Sequence, residues 1–297
     1  MATSSGSVVC DNSSLANFKA WAQVISNFMA TAGWVQSSDT GQVNWSTIAA
    51  VPASTYVYEI WKPGDALTTF FLKIEYGFSG TIVQIKLSLG TSTNGAGTLS
   101  GFVVGPFFPQ GGSQGSGPGN QGATAFNYYL SGDTGRICIA MWVNSATGSV
   151  PTVFVVARSK NSSGANTSSH VTLMTFSTAG RVSYQSVVFG TGLATLVNFV
   201  AGIAPVIQTG QASNLFASTD VPISPFFPAV GFYDNPLIEM GAGAHNDITD
   251  QATFTIAAAN MPYGTSHTFI GFSGQTAFQD WSDGGIRGQS AFVMQYE

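Results

Sequence analysis

Apolar side chains recur along this chain with two different periods. Over residues 15–33, LANFKAWAQVISNFMATAG, the residues Phe18, Trp21, Ala22, Ile25, Phe28 and Met29 return at three- and four-residue steps, which lines them up on one face of an α-helix. Asp11, Asn12, Ser13 and Ser14 stand where a side-chain oxygen would cap the first turn, and Gly33 stands where the helix would stop. One amphipathic helix ahead of a long β region must lay its stripe on a sheet or on a neighbouring molecule.

After the helix the period falls to two. TFFLKIEYG (69–77) puts Phe71, Lys73 and Glu75 on one face and Phe70, Leu72, Ile74 and Tyr76 on the other. IVQIKLSLG (82–90) repeats the pattern with Val83, Ile85, Leu87 and Leu89 inside, and the GFSGT between them makes the pair a hairpin. Glu75 then falls opposite or diagonal to Lys86, in an exposed cross-strand charge set worth about 0.2–1 kcal/mol.

Further strands are expected over Gly101–Val104, Ala123–Leu130, Arg136–Val143, Thr152–Arg158, His170–Phe176, Arg181–Phe189, Gln251–Ala257, Thr268–Phe272 and Ser290–Tyr296. About a dozen strands with one N-terminal amphipathic helix give a mainly β fold, an antiparallel β-sandwich or two packed β lobes. The motif PFFP closes strand-like runs at both 106–109 and 225–228, in keeping with two lobes. The expected division is an N-terminal segment and helix over 1–35, a first β lobe over 36–190, a connecting segment over 191–225 and a C-terminal β lobe over 226–297.

Charge changes this picture most. Only 8% of the 297 residues are charged, against about 25% in ordinary soluble domains. Gly, Ser, Thr, Asn and Gln supply the polarity instead, so little repels a neighbouring subunit and a buried assembly surface becomes reasonable. Residues 1–160 carry seven basic and six acidic groups, whereas 182–297 carry Arg287 against eight acids. No Lys/Arg cluster exists, which disfavours nucleic acid and anionic membrane surfaces as partners.

The uncharged run 187–207 is about as long as a bilayer-spanning helix. Its Gly190, Gly192, Gly202, Asn198 and Pro205, with no basic anchor after it, favour a buried strand followed by a short helix or loop. The N-terminus lacks a basic stretch followed by an apolar one, so the chain is expected to be made in the cytoplasm, where the N-x-S/T triplets at Asn12, Asn44, Asn161 and Asn166 carry no glycan.

Candidate chemistry is thin. Gly117 to Gly122, GPGNQG, fits G-x-G-x-x-G, but a dinucleotide loop follows a strand directly and opens a helix. Here a slack run precedes the motif, Pro118 interrupts it and ATAFNYYL alternates like a strand, so 110–122 reads as a flexible surface loop or one ordered by an adjoining subunit. The three histidines are His170, His245 and His267. His245, Asp247, Asp250, Asp280 and Asp283 form the one oxygen-rich set that would suit Ca²⁺, although the spacing matches no EF-hand and Asx residues are common turn formers. Cys10 and Cys138 match no metal or redox spacing and leave a single disulfide open. With no G-x-S-x-G and no selected pair of carboxylates, the sequence assigns no catalytic, cofactor or metal-binding residue.

Three blocks together carry a resemblance: NFKAWAQVISNFMATAGWVQSSDTGQVNW (17–45), the run from YEIWKP (58–63) through FFLKIEYG to LSLGTSTNGAGTLSG (87–101), and VFVVARSKNSSGANTSSHVTLMT (153–175). Over most of its first two-thirds the chain resembles a group of uncharacterised virion proteins of tailed bacteriophages. The resemblance implies a non-enzymatic structural protein of the virion, made in the host cytoplasm. It would belong to the tail, baseplate or fibre-attachment region and assemble with copies of itself and other virion proteins, with the threefold or sixfold symmetry usual there. The alternatives are a capsid decoration protein, a receptor-binding module that takes host surface glycan, and a depolymerase with paired carboxylates. The resemblance transfers no functional residue.

Overall fold

A computed structural model describes residues 1–52, 55–79, 82–107, 124–143, 152–160, 165–176, 182–190, 193–199, 224–225, 242–246, 253–256, 267–272 and 290–295. Helix α1 spans Leu15–Thr31. The Ser14 side chain accepts from the Asn17 N–H, and Asp11 braces the approach by accepting from the N–H and hydroxyl of Ser13. At the other end the Ala32 N–H reaches the Phe28 carbonyl, and Gly33, at φ +87°, turns the chain out of the helix. All six apolar residues expected on the inner face are buried.

The other regular elements among the described residues are strands, in antiparallel sheets. The first sheet holds β1 (Ala2–Cys10), β7 (Thr124–Asp133), β8 (Arg136–Val143), β9 (Thr152–Lys160), β10 (Asn166–Phe176), β11 (Val182–Gly190) and β12 (Leu193–Phe199), adjacent in that order. The second is a meander of β2 (Trp34–Gln36), β3 (Tyr56–Pro63), β4 (Phe71–Ser79), β5 (Ile82–Thr93) and β6 (Leu99–Phe107). A third sheet, in the order β13 (Ser224–Pro225), β14 (Ala242–Asn246), β17 (Ser290–Gln295), β16 (His267–Phe272) and β15 (Thr253–Ile256), is built from later residues.

The hairpin expected from the alternation is β4–β5, with Leu72, Ile74 and Tyr76 facing Leu89, Leu87 and Ile85 on the buried side. Glu75 pairs with Lys86 in register, as expected. The ion pair formed is Lys73–Glu75 along one strand at 3.7 Å, while the Lys86 ammonium lies 3.4 Å from the Tyr56 ring centroid. Run 187–207 begins as the β11–β12 hairpin, residues 200–207 lie outside the described ones, and no described helix is long and apolar enough to cross a membrane. The loop at 110–122 also lies outside the described residues.

β2, β3, β13 and β14 are strands beyond those expected, and β1 and β12 depart furthest from the sequence pattern. β1 precedes the helix in a Ser- and Gly-rich stretch without apolar alternation, and it forms because β7 offers a nine-residue ladder from Ala2↔Gly132 to Cys10↔Thr124. β12 extends the first sheet where a helix or loop was expected to begin.

The core lies where α1 meets both of the first two sheets. Phe18 packs 5.5 Å from Phe78, and Trp21 stands edge-on to Tyr76 of the second sheet at 6.0 Å while lying 6.3 Å from Phe126 of the first. The Trp21 indole N–H points to the Met141 sulfur at 3.1 Å. One fully buried indole thus joins three elements, and truncating such a side chain costs about 3–5 kcal/mol.

Candidate functional site

Three carboxylates in the described region are held inside polar clusters. On β3 the parity that turns Val57 and Trp61 inward also turns Glu59 inward, opposite Ile74. Glu59 is 1% exposed. Its Oε1 accepts from the Ser26 hydroxyl at 2.7 Å and the Trp45 indole at 2.8 Å; its Oε2 accepts from the Tyr76 hydroxyl at 3.1 Å and the Trp61 indole at 3.4 Å. Burial raises the Glu59 pKa above the usual carboxylate value, and the four donors offset only part of that effect. Burial, then the neighbouring Glu59 charge, holds the Tyr76 phenol well above its ordinary value, so it stays a donor. The cluster joins the helix, the 37–48 segment and the second sheet.

Arg158 of β9 is the second buried charge, at 1% exposure. Its Nε and Nη2 donate to the two carboxylate oxygens of Asp65 at 2.9 Å each, Nη2 also donates to the Thr68 carbonyl at 2.9 Å, and the guanidinium carbon lies 4.8 Å from the Phe70 ring centroid. This two-point clamp fastens the β3–β4 connection to the first sheet. The Thr68 N–H to Ser168 Oγ and the Trp34 indole to the Asp133 carbonyl add two more ties between the sheets.

The third cluster closes the loop after β2. Asp39 accepts from Ser37 Oγ at 2.7 Å, Thr93 Oγ1 at 3.0 Å and the Gly97 N–H at 3.1 Å. Burial pushes its pKa up, but the hydrogen bonds from Ser37, Gly97 and Thr93 outweigh it and leave the pKa lowered. Gln42 fills the loop, donating to the Ser37 and Asp39 carbonyls and accepting from the Ile60 N–H.

In all three clusters the carboxylate is occupied by donors from its own chain, so the chemistry available to it there is to fasten segments. On the outer face of β3 and β4, the Tyr58 ring lies under the Lys73 ammonium at 4.3 Å and its hydroxyl donates to the Thr40 carbonyl.

The structure does not gather the histidines. His170 lies on β10 opposite Val188, whereas His245 on β14 and His267 on β16 are separated by β17 in the third sheet. Asp247, Asp250, Asp280 and Asp283 lie outside the described residues, and among the described residues no group of three His, Cys, Asp or Glu could hold a metal ion. Cys10 and Cys138 are free and buried, and burial pushes the Cys10 thiol up. Cys10 pairs with Thr124 and Cys138 with Ser131, so they sit seven ladder positions apart with β7 between them, roughly 20 Å or more against the ~7 Å limit for a disulfide.

The sequence reading missed Glu59, Asp39, Asp65 and Arg158. Parity carried a signal for two of them, since Glu59 shares a face with Val57 and Trp61, and Arg158 shares one with Phe154 and Val156. No family model, curated protein or solved structure matches this chain.

Proposed function

We propose that this chain is a non-enzymatic structural component of a bacteriophage particle, in the tail, baseplate or fibre-attachment region and present in several copies. The observation that carries the reading is where the charge goes. Of a scarce set, Glu59, Asp39, Asp65 and Arg158 are spent inside the fold on fastening one segment to another. Lys73, Glu75 and Lys86 stay on an outer face, and the low share of charge leaves much of the polarity to uncharged residues, which lose little when another subunit covers them. The resemblance of residues 17–45, 58–101 and 153–175 to tailed-phage virion proteins supports the same reading. A two-lobed β-sandwich, with its boundary within 191–225, belongs to this proposal, as do virion localisation and the absence of nucleic-acid and membrane partners.

The test is mass spectrometry of separated heads and tails, followed by tracing the chain in an image reconstruction of the intact particle. Recovery in the tail fraction at several copies supports the proposal. Recovery on the head exterior replaces it with capsid decoration, and a chain missing from the particle that cleaves a surface glycan refutes it.

A further inference from the structure

Among the described residues each sheet edge is blunted in some way except one. β2 has three residues, and the chain beyond it turns back on β3 through the Ser37 N–H to Ile60 carbonyl and Val43 N–H to Tyr58 carbonyl bonds. β6 carries two register shifts and Pro106, β13 is two residues ending in Pro225, β15 has four residues, and β12 lies beside β6. Short strands, bulges, proline and covering segments are the usual means by which sheets avoid pairing with other chains.

β1 has none of these. It pairs along all nine residues with β7 without a shift, contains no proline and no charge, and makes no hydrogen bond from Ala2–Val9 beyond that ladder among the described residues. Among the described residues its other side is therefore a row of N–H and C=O groups with no backbone partner. Ser5, Gly6 and Ser7 at its centre are all exposed, so the outward face and the edge are open there.

We infer that the free edge of β1 pairs antiparallel with β1 of a second copy of this chain about a twofold axis at Gly6. In that register Gly6 faces Gly6, Ser5 faces Ser7, Ser4 faces Val8, Thr3 faces Val9 and Ala2 faces Cys10, which uses the whole strand. Three properties fit the strand to itself. No like charges meet, because residues 2–10 carry none. The residues at the axis are the smallest available, and the Tyr128 hydroxyl already fills the inner face at Gly6. Val9, at 38% exposure one of the few exposed large hydrophobics, gains a β-branched partner in Thr3. The contact joins two copies and so adds to a cyclic assembly rather than building one; it stands on the edge geometry whether or not the chain belongs to a particle.

The experiment is sedimentation of the purified full chain over a wide concentration range, with hydrogen exchange of residues 3–9. The expected result is a reversible equilibrium between a 30.9 kDa monomer and a dimer, with those amides protected as the dimer fills. Ser5→Lys with Ser7→Lys, both on the outward face, places lysine against lysine twice and weakens association by about tenfold or more at unchanged circular dichroism. In a second variant, Ser5→Cys with Ser7→Cys, a short bismaleimide links two copies while the wild type, whose cysteines are buried, is not linked. A wild type monomeric at every concentration, a dimer indifferent to the lysine pair, or no linked dimer overturns the inference. So does an edge filled by another protein's strand in a chain that stays monomeric alone. None of these results bears on whether the chain is found in the particle.

Discussion

Glu59→Ala and Glu59→Gln separate two effects of one buried carboxylate. The alanine variant removes the acceptor shared by Ser26, Trp45 and Tyr76 at 2.7–3.1 Å, with Trp61 contributing less at 3.4 Å. Three charge-assisted bonds are worth about 1.5–3 kcal/mol each, while removing the charge from a 1% exposed site returns several kcal/mol of desolvation cost, leaving a net loss of about 3–5 kcal/mol. The glutamine variant keeps the volume and one acceptor oxygen, and the Tyr76 hydroxyl can rotate to accept from the new amide; a change within about 1 kcal/mol of wild type at pH 7 is expected.

The pH dependence carries the sharper distinction. Burial raises the Glu59 pKa in the folded state, so the folded chain binds more protons there than the unfolded chain does. Stability from this group is fully present below the unfolded value of about 4.3 and is lost as pH rises through the folded pKa, at up to about 1.4 kcal/mol per pH unit. Urea unfolding followed by tryptophan fluorescence should therefore show wild type gaining on Glu59→Gln as pH falls from 7 towards 4.5. An alanine variant within about 1 kcal/mol of wild type, or a wild-type-minus-glutamine difference that is flat with pH, would refute the account of the cluster.

Asp39 should show the opposite sign: its folded pKa is lowered, so the advantage of wild type over Asp39→Asn is present near neutrality and shrinks as pH falls through the acid range in the same unfolding assay. Asp65→Ala strands the Arg158 guanidinium and should cost about 3–5 kcal/mol by chemical denaturation, with Arg158→Met costing less because the Asp65 carboxylate left behind is 16% exposed and reaches water. Gly97→Ala, at φ +87° with the Tyr58 hydroxyl where the methyl would go, should lower the melting temperature more than Gly95→Ala. The latter, at φ +76° in open space, bears only the backbone strain of about 1–2 kcal/mol.

What the chain discloses in one dimension depends on whether burial follows a local period. α1 and the β4–β5 hairpin could be read directly, down to which residues face inward, because each buries one face and shows solvent the other. β1 left no trace because an edge strand with its centre exposed has no reason to alternate. The clusters were hidden for a different reason. Asp65 and Arg158 meet across 93 positions and Ser26 and Glu59 across 33, and a carboxylate that finds four donors is spelled the same way as one in water.

The ladder between β1 and β7 also sets an order of events during synthesis. β1 and the apolar stripe of α1 leave the ribosome well ahead of residues 124–133, to which β1 pairs and which follow it by more than a hundred residues. At about 5–20 residues per second the nascent chain spends on the order of ten seconds with an uncharged strand and a greasy helix unsheltered. A chaperone that holds β1 and α1 during that interval would raise the yield of folded protein more than one that acts after release.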